Sequence, residues 1–382
     1  MAPSKILAFA REAGGAAAIA PALQELLGHA SVVILAKDYA HEVFHRAGLR
    51  TVTFAECSEA ALSRVLAEHW AGQLPEVVFT SATSLPQLDM TEKHLWRWAR
   101  QQRIPSVAVL DQWQNYAARF SGLGPEEHLA YLPDWIAAMD ERAKHGLVAE
   151  GLPAERVVVT GQPAFDRLAR LRDAYAPGER EHLRRELGVA PHAKLVCFVS
   201  ESFADVFGDR LGYTEQSVLR DLLGVCGRVV SDAGLSMHLA VKLHPQNLPD
   251  EFAWLREAAV PQGLDVSLHG PEQPPIPLLM ASDVVIGMTS VLLIESILLG
   301  RPTVSFQPGA IQTANLVATV IGAIPLLDTA EACLQVVRAL LEDPRFSAAY
   351  LRRQSRLGTA GGAAARVADV VRRAGAGVVA AT

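Results

Sequence analysis

The stretch from Ala281 to Phe306, ASDVVIGMTSVLLIESILLGRPTVSF, constrains the fold of this chain more than any other segment. It reads as an apolar strand, a short polar turn, a helix, a Gly-Arg-Pro break and a second apolar strand. Strands joined through a helix belong to a parallel sheet. The turn Gly287-Met288-Thr289-Ser290 opens the helix. Its hydroxyls and backbone N–H groups make an anion site of the kind that holds phosphates at helix N-termini. Glu295 sits within an otherwise apolar helix, where a buried carboxylate needs a partner, and a ribose diol would be one. The plainer alternative is a Ser/Thr helix cap with a carboxylate facing solvent.

The same alternation runs through the chain. Strands are expected at Lys5–Ala10, Ser31–Ala36, Thr51–Phe54, Glu76–Thr80, Ser106–Leu110, Trp135–Met139 and Val157–Thr160, with helices between them. An Arg/Glu-rich helical stretch, Phe165 to Leu187, breaks at Gly188 and Pro191. Strands then resume at Lys194–Val199, Met237–Lys242, Leu264–Leu268, Val284–Ile286 and Thr303–Phe306, and two helices, Thr329–Leu341 and Ser347–Ala374, end the chain before the tail GAGVVAAT. At 382 residues the chain exceeds one ordinary core. The expected fold class is α/β, with two Rossmann-like doubly wound domains facing a central cleft. Their expected spans are 1–163 and 164–346, with a C-terminal helix in 347–382 able to cross back to the first.

Composition narrows the function. Hydrophobic residues make up 50% and charged residues 20%, so the chain is globular. A net charge of −6 argues against a protein that coats nucleic acid. Cys57, Cys197, Cys226 and Cys333 are scattered, without metal-ligand spacing, which points to a reducing compartment and to no bound metal. No run approaches a membrane span, so a cytoplasmic protein is expected. Contact with a membrane surface stays open, and oligomeric state is not legible. Walker A, Gly-x-Ser-x-Gly and His-Glu-x-x-His motifs are absent.

Five segments carry candidate chemistry. In VKLHPQN, Lys242 and His244 follow an apolar strand and Pro245 ends it, which places both cations where a ligand of a doubly wound sheet lies. His244 can donate to a phosphate or protonate a leaving group. Ser200, Glu201 and Ser202 open the loop after strand KLVCFV, where small hydroxyls allow close approach of a pyrophosphate. In AREAGG, Gly14 and Gly15 permit a tight turn, and Glu12 is a candidate base or acceptor-binding carboxylate. In LDQWQNYAARF, Asp111 ends a strand and can take a proton from an acceptor hydroxyl, while Trp113 and Tyr116 can stack on a sugar or base. TSATS, Thr80 to Ser84, is a second hydroxyl-rich strand end in the first half, whereas Trp96 and Trp98 read as core. Each segment also has an ordinary reading as a βα loop, a turn or a packed aromatic loop.

Two Rossmann-like halves, His-Pro at 244–245 and a Thr/Ser turn with Glu295 five residues before Gly300 resemble the GT-B glycosyltransferase superfamily. The pattern is similar to lipid-linked N-acetylglucosaminyltransferases, bacterial capsule glycosyltransferases and non-hydrolysing UDP-N-acetylglucosamine 2-epimerases. The resemblance implies that Glu295 binds ribose, that Thr289, Ser290 and the Val291 backbone hold a diphosphate, and that His244 contacts donor phosphate. Phe-Ala-Arg-Glu-Ala-Gly-Gly stands where the epimerases carry Gly-Thr-Arg-Pro-Glu, and Met-Thr-Ser where they carry Ser-Gly-Gly. Both departures favour a transferase. The expectation is a metal- and cofactor-independent glycosyltransferase that moves a sugar from a nucleotide-sugar donor to an acceptor hydroxyl in bacterial glycan biosynthesis, with Asp111 or Glu12 as base. An NDP-sugar 2-epimerase or hydrolase on the same fold, and a non-enzymatic nucleotide-sugar binder, are the alternatives.

Overall fold

In a computed structural model, residues 3–83, 86–176, 178–311, 316–357 and 361–377 are described. Ser84 and most of the C-terminal tail lie outside them. The chain forms two compact units, Met1–Arg167 with Thr359–Thr382, and Leu168–Gly358.

The first unit holds seven strands: β1 (Ser4–Ala10), β2 (Ala30–Ala36), β3 (Val52–Thr53), β4 (Val77–Thr80), β5 (Ser106–Val109), β6 (Trp135–Ala138) and β7 (Val157–Val159). They line up in the order β3-β2-β1-β4-β5-β6-β7, and every pairing is parallel. A parallel sheet is covered on both faces, which is why its strands are apolar throughout rather than alternating. In β1, Ile6, Ala8 and Ala10 enter one core with the helices Ala13–Leu27 and Ala363–Gly375, while Leu7 and Phe9 enter another with the helices Glu59–Trp70 and Thr91–Gln101. Ser58 caps its helix, accepting from the Ala61 N–H.

The second unit holds β8 (Lys194–Val199), β9 (Met237–Lys242), β10 (Leu264–His269), β11 (Val284–Gly287), β12 (Thr303–Phe306) and β13 (Leu326–Leu327). Their order is β10-β9-β8-β11-β12-β13, again all parallel. In each sheet the chain winds outward on one side and then restarts on the other. The reversal falls between β1 and β4 in the first unit and between β8 and β11 in the second. Carboxyl ends of strands at such a reversal are the places where loops diverge and leave room for a ligand.

Three helical expectations change. The stretch 165–187 is two helices, Pro163–Ala174 and Glu179–Glu186, because Gly178 takes a left-handed φ of 92°. The segment Asp250–Glu257, whose sequence pattern between two strands predicts an α-helix, is 3-10, over Pro249–Arg256. The last helix is also divided: Pro344–Gln354 belongs to the second unit, and Ala363–Gly375 starts after Gly362, at φ 81°, in the first.

That terminal helix is anchored by groups far away in sequence. Asp166, nearly buried, accepts from the N–H groups of Ala363 (3.1 Å) and Ala364 (2.8 Å). Arg366 donates to the Thr160 carbonyl at 2.8 Å. A carboxylate at a helix N-terminus satisfies otherwise orphaned donors and meets the positive end of the dipole. Asp166→Ala is expected to destabilise the protein by about 1–3 kcal/mol, measured by urea denaturation, because it leaves two buried N–H groups without an acceptor.

Candidate functional site

In the first unit, the loops after β1, β4 and β5 enclose a cavity of about 270 Å³ lined by Glu12, Gly14, Gly15, Ser81, Asp111 and Arg119, among others. Residues separated by a hundred positions meet here because their strands are neighbours at the reversal of the sheet.

The glycine pair is required by close approach. A Cβ on Gly14 would lie 2.8 Å from Asp111 Oδ2, and one on Gly15 would lie 2.6 Å from Ser81 Cβ. Asp111 is ion-paired with Arg119 Nη1 at 2.7 Å. The guanidinium is 2% exposed and also donates to the carbonyls of Ala82 and Gln114. Glu12 pairs with Arg11, which also holds Asp38 at 2.6 Å. Burial pushes the Glu12 carboxyl above its usual range; Arg11 opposes this, and the negative charges of Asp38, Asp111 and Asp89 add to it. A half-buried carboxyl that holds its proton more tightly is better suited to act as a general acid than an ordinary surface carboxylate.

Behind the cavity, Glu92 is buried and accepts from the Ser81 hydroxyl and from the Thr83 N–H at 2.6 Å. Burial raises its pKa above the carboxylate range. Glu92 and Arg119 carry no assigned role in the sequence reading. In sequence, Glu92 looks like an ordinary acidic residue in a helix's first turn. Only the fold turns it inward.

The two aromatic candidates sit elsewhere. Tyr116 is buried in the hydrophobic core, with its ring against Gly146. Trp113 stacks on Phe165 (centroids 6.2 Å apart, 18° between planes) and donates to Asp140 Oδ2 at 2.9 Å. Neither lines the cavity. Of the strand-end hydroxyls, Thr80 accepts from the Trp96 indole at 2.9 Å, inside the protein.

In the second unit, three neighbouring strand ends bring together Ser200 after β8, His244 after β9 and the Met288–Ser290 turn after β11. Asn247 ties them. Its Oδ1 accepts from Ser200 Oγ at 2.8 Å and from the His244 N–H at 3.1 Å. Ser202 donates to Gln246 at 2.7 Å. His244 Nδ1 accepts from the Gln246 N–H at 3.2 Å, so the neutral ring carries its proton on Nε2. Burial, with Lys242 nearby, lowers the His244 pKa and favours this neutral form. Lys242 is turned inward, donating to the carbonyls of Gly270 (2.7 Å) and Leu243 (3.2 Å).

The buried carboxylate of this region is not Glu295, which is only partly buried, but Glu201. One Glu201 oxygen accepts from the Thr289 N–H and the other from the Thr289 hydroxyl, both at 2.8 Å, and the N–H groups of Ser290 and Met288 also point to it. Ser290 Oγ accepts from the Leu292 N–H at 3.3 Å. Of the donors expected to hold a ligand phosphate, the Thr289 N–H and hydroxyl and the Ser290 N–H are therefore already engaged by the protein's own carboxylate. Burial raises the Glu201 pKa to about 7, against the opposing effect of those hydrogen bonds.

No protein-family profile matches the chain, and no curated protein matches it in sequence. Solved structures do match it in fold. The UDP-GlcNAc 2-epimerase from Neisseria meningitidis bound to UDP-GlcNAc aligns over 97% of this chain and 100% of its own, with TM-score 0.67 and 16% identity. The S. aureus MnaA–UDP structure aligns over 97% and 96%, with TM-score 0.65 and 14% identity. Anabaena HepE in complex with UDP-glucose aligns over 97% and 98%, with TM-score 0.62 and 14% identity. These neighbours correct the expected activity. The chains that match end to end include 2-epimerases, so the glycosyltransferase reading is set aside, along with its acceptor.

The glycine contacts give a direct test of the cavity. Gly15→Ala is expected to cost about 1–3 kcal/mol by overpacking against Ser81. Gly224→Ala, at an exposed helical position with nothing within 4 Å, is expected to stabilise by about 0.5–1 kcal/mol. Both are read by chemical denaturation. The chain has the two-domain α/β fold, GT-B-like, of the UDP-GlcNAc 2-epimerases.

Proposed function

We propose that this protein is a nucleotide-sugar 2-epimerase acting on a UDP-linked 2-acetamido sugar. The observation that carries this reading is the end-to-end likeness in fold to an enzyme solved with UDP-GlcNAc. The cavity of the first unit supplies suitable chemistry. Inverting C2 breaks and remakes a C–H bond, and no neighbouring carbonyl acidifies that proton. Loss of the C2 proton together with the C1–O bond to the diphosphate forms a C1=C2 double bond. Return of a proton to the opposite face, and of the diphosphate to C1, completes the inversion. The cycle is redox-neutral and uses no cofactor. It needs one group to accept a proton and another to supply one. In this reading Asp111, held by Arg119, accepts the proton, and Glu12, whose pKa is raised, supplies it.

The second unit is assigned to the nucleotide, with His244 Nε2, Ser200, Ser202, Thr289, Ser290 and Glu295 around it. Lys242 acts at one remove, by its charge. Among the described residues, no helix is long and apolar enough to cross a membrane.

Incubation with UDP-GlcNAc alone in deuterated water tests the reading. The expected result is the C2 epimer of the nucleotide sugar carrying deuterium at C2. Free sugar plus UDP, without epimer, would show hydrolysis instead. Glu12→Gln and Asp111→Asn are each expected to lower kcat by about 10²–10⁴-fold. Unchanged turnover in both variants would remove this cavity from the reaction.

A further inference from the structure

We propose that binding of a nucleoside-diphosphate sugar at the Met288–Ser290 turn takes up one proton, and that Glu201 is the group that receives it. The proposal rests on assigning the nucleotide to the second unit. It goes beyond that assignment by making the site's affinity depend on a proton.

The turn presents the N–H groups of Met288, Thr289 and Ser290 and the Thr289 hydroxyl, and all four are directed at one carboxylate. Donors saturated by one anion are not free for a second. An arriving diphosphate also brings its negative charge against a buried negative charge, with little water between them to screen it. Protonating Glu201 resolves both conflicts. The neutral carboxyl holds its N–H donors less tightly, releases them to the phosphate oxygens, and can donate its own O–H to one of them. Burial already brings this carboxyl close to neutrality, so the proton is available at ordinary pH.

The other charged groups around Glu201 do not supply a substitute proton. Lys242, the last residue of β9 at the start of the loop, spends its ammonium on the carbonyls of Gly270 and Leu243. His244, on the same loop, is kept neutral by burial and by Lys242, and its Nδ1 is occupied. Glu215, on the helix Glu215–Ala233, accepts from the Ala204 N–H at 3.0 Å, and Glu295 lies on the helix that follows the turn.

Calorimetry with UDP-glucose, whose diphosphate diester has no group titrating between about pH 6.5 and 9, tests the coupling in buffers of different ionisation enthalpy. The expected result near pH 8 is uptake of about one proton per ligand bound, with Kd weakening about tenfold per pH unit above about 7. Glu201→Gln is expected to take up no proton and to bind with an affinity that is flat across this range. Binding to wild type without proton uptake overturns the coupling and leaves the nucleotide assignment standing. A pH dependence that survives in Glu201→Gln assigns the proton to another group, His244 foremost, and also overturns it. Absence of binding in both proteins overturns the nucleotide assignment and the coupling together. Should Glu201→Gln fail to fold, His244→Asn decides: uptake of about one proton per ligand bound retained in that variant upholds Glu201, and its loss overturns the assignment.

Discussion

A parallel sheet buried on both faces can meet a ligand only at its strand ends, and everything functional in this chain follows from that constraint. In β1, five of seven residues are buried, so neither face of the strand is available for chemistry. Side chains that do chemistry are pushed into the loops beyond the carboxyl ends. Where the winding reverses, two such loops separate and leave space. In the first unit this explains why Glu12, Ser81 and Asp111 line one cavity although they lie in three segments. In the second it explains why Ser200, His244 and Thr289 come together.

The second recurring device is the internal carboxylate that accepts from backbone N–H groups. Glu201 serves the turn after β11, Glu92 serves Thr83, and Asp166 serves the terminal helix. Asp283 accepts from the Leu195 N–H at 2.7 Å while paired with Arg180 and Arg184. These carboxylates are not equivalent. Arg180 and Arg184 hold the Asp283 pKa down, whereas burial drives those of Glu92 and Glu201 up against the opposing effect of their hydrogen bonds and, at Glu92, of the Lys93 charge. Asp283, held by two arginines and a backbone N–H, keeps its charge, whereas Glu201, held by neutral donors, has its pKa brought to about 7.

Much of the frame was legible because it depends on local pattern. Apolar runs of strand length separated by helical periods define the sheet. Ser58 announces its helix by type and position. The strand-end location of Asp111 and His244 follows from the same alternation. The partners were not legible, since they are set by which loops the folded sheet places side by side. Glu201 and Thr289 are 88 positions apart, and Asp166 and Ala364 are 198 apart. The directions of the aromatics were hidden for a related reason. Tyr116 and Trp113 sit in one polar–aromatic loop, and composition shows that they can stack without showing on what. The core claims Tyr116, and Phe165 claims Trp113.

The error in the expected activity has the same origin. A Thr/Ser turn, a helical glutamate and a Gly-x-Pro break describe how a chain frames an anion and a diol, and that frame does not specify what happens to the sugar. The reaction is decided by proton-handling groups, which the proposed function assigns to Glu12 and Asp111 of the first unit. Two sequence departures were taken to favour transfer, but one of them points another way once the structure is considered. Thr289 and Ser290 replace the backbone-exposing glycines of the related turn, and their N–H groups close on Glu201. In this chain the turn therefore closes on an internal anion. That arrangement concerns how the turn treats an anion, and it carries no information about whether an acceptor is present.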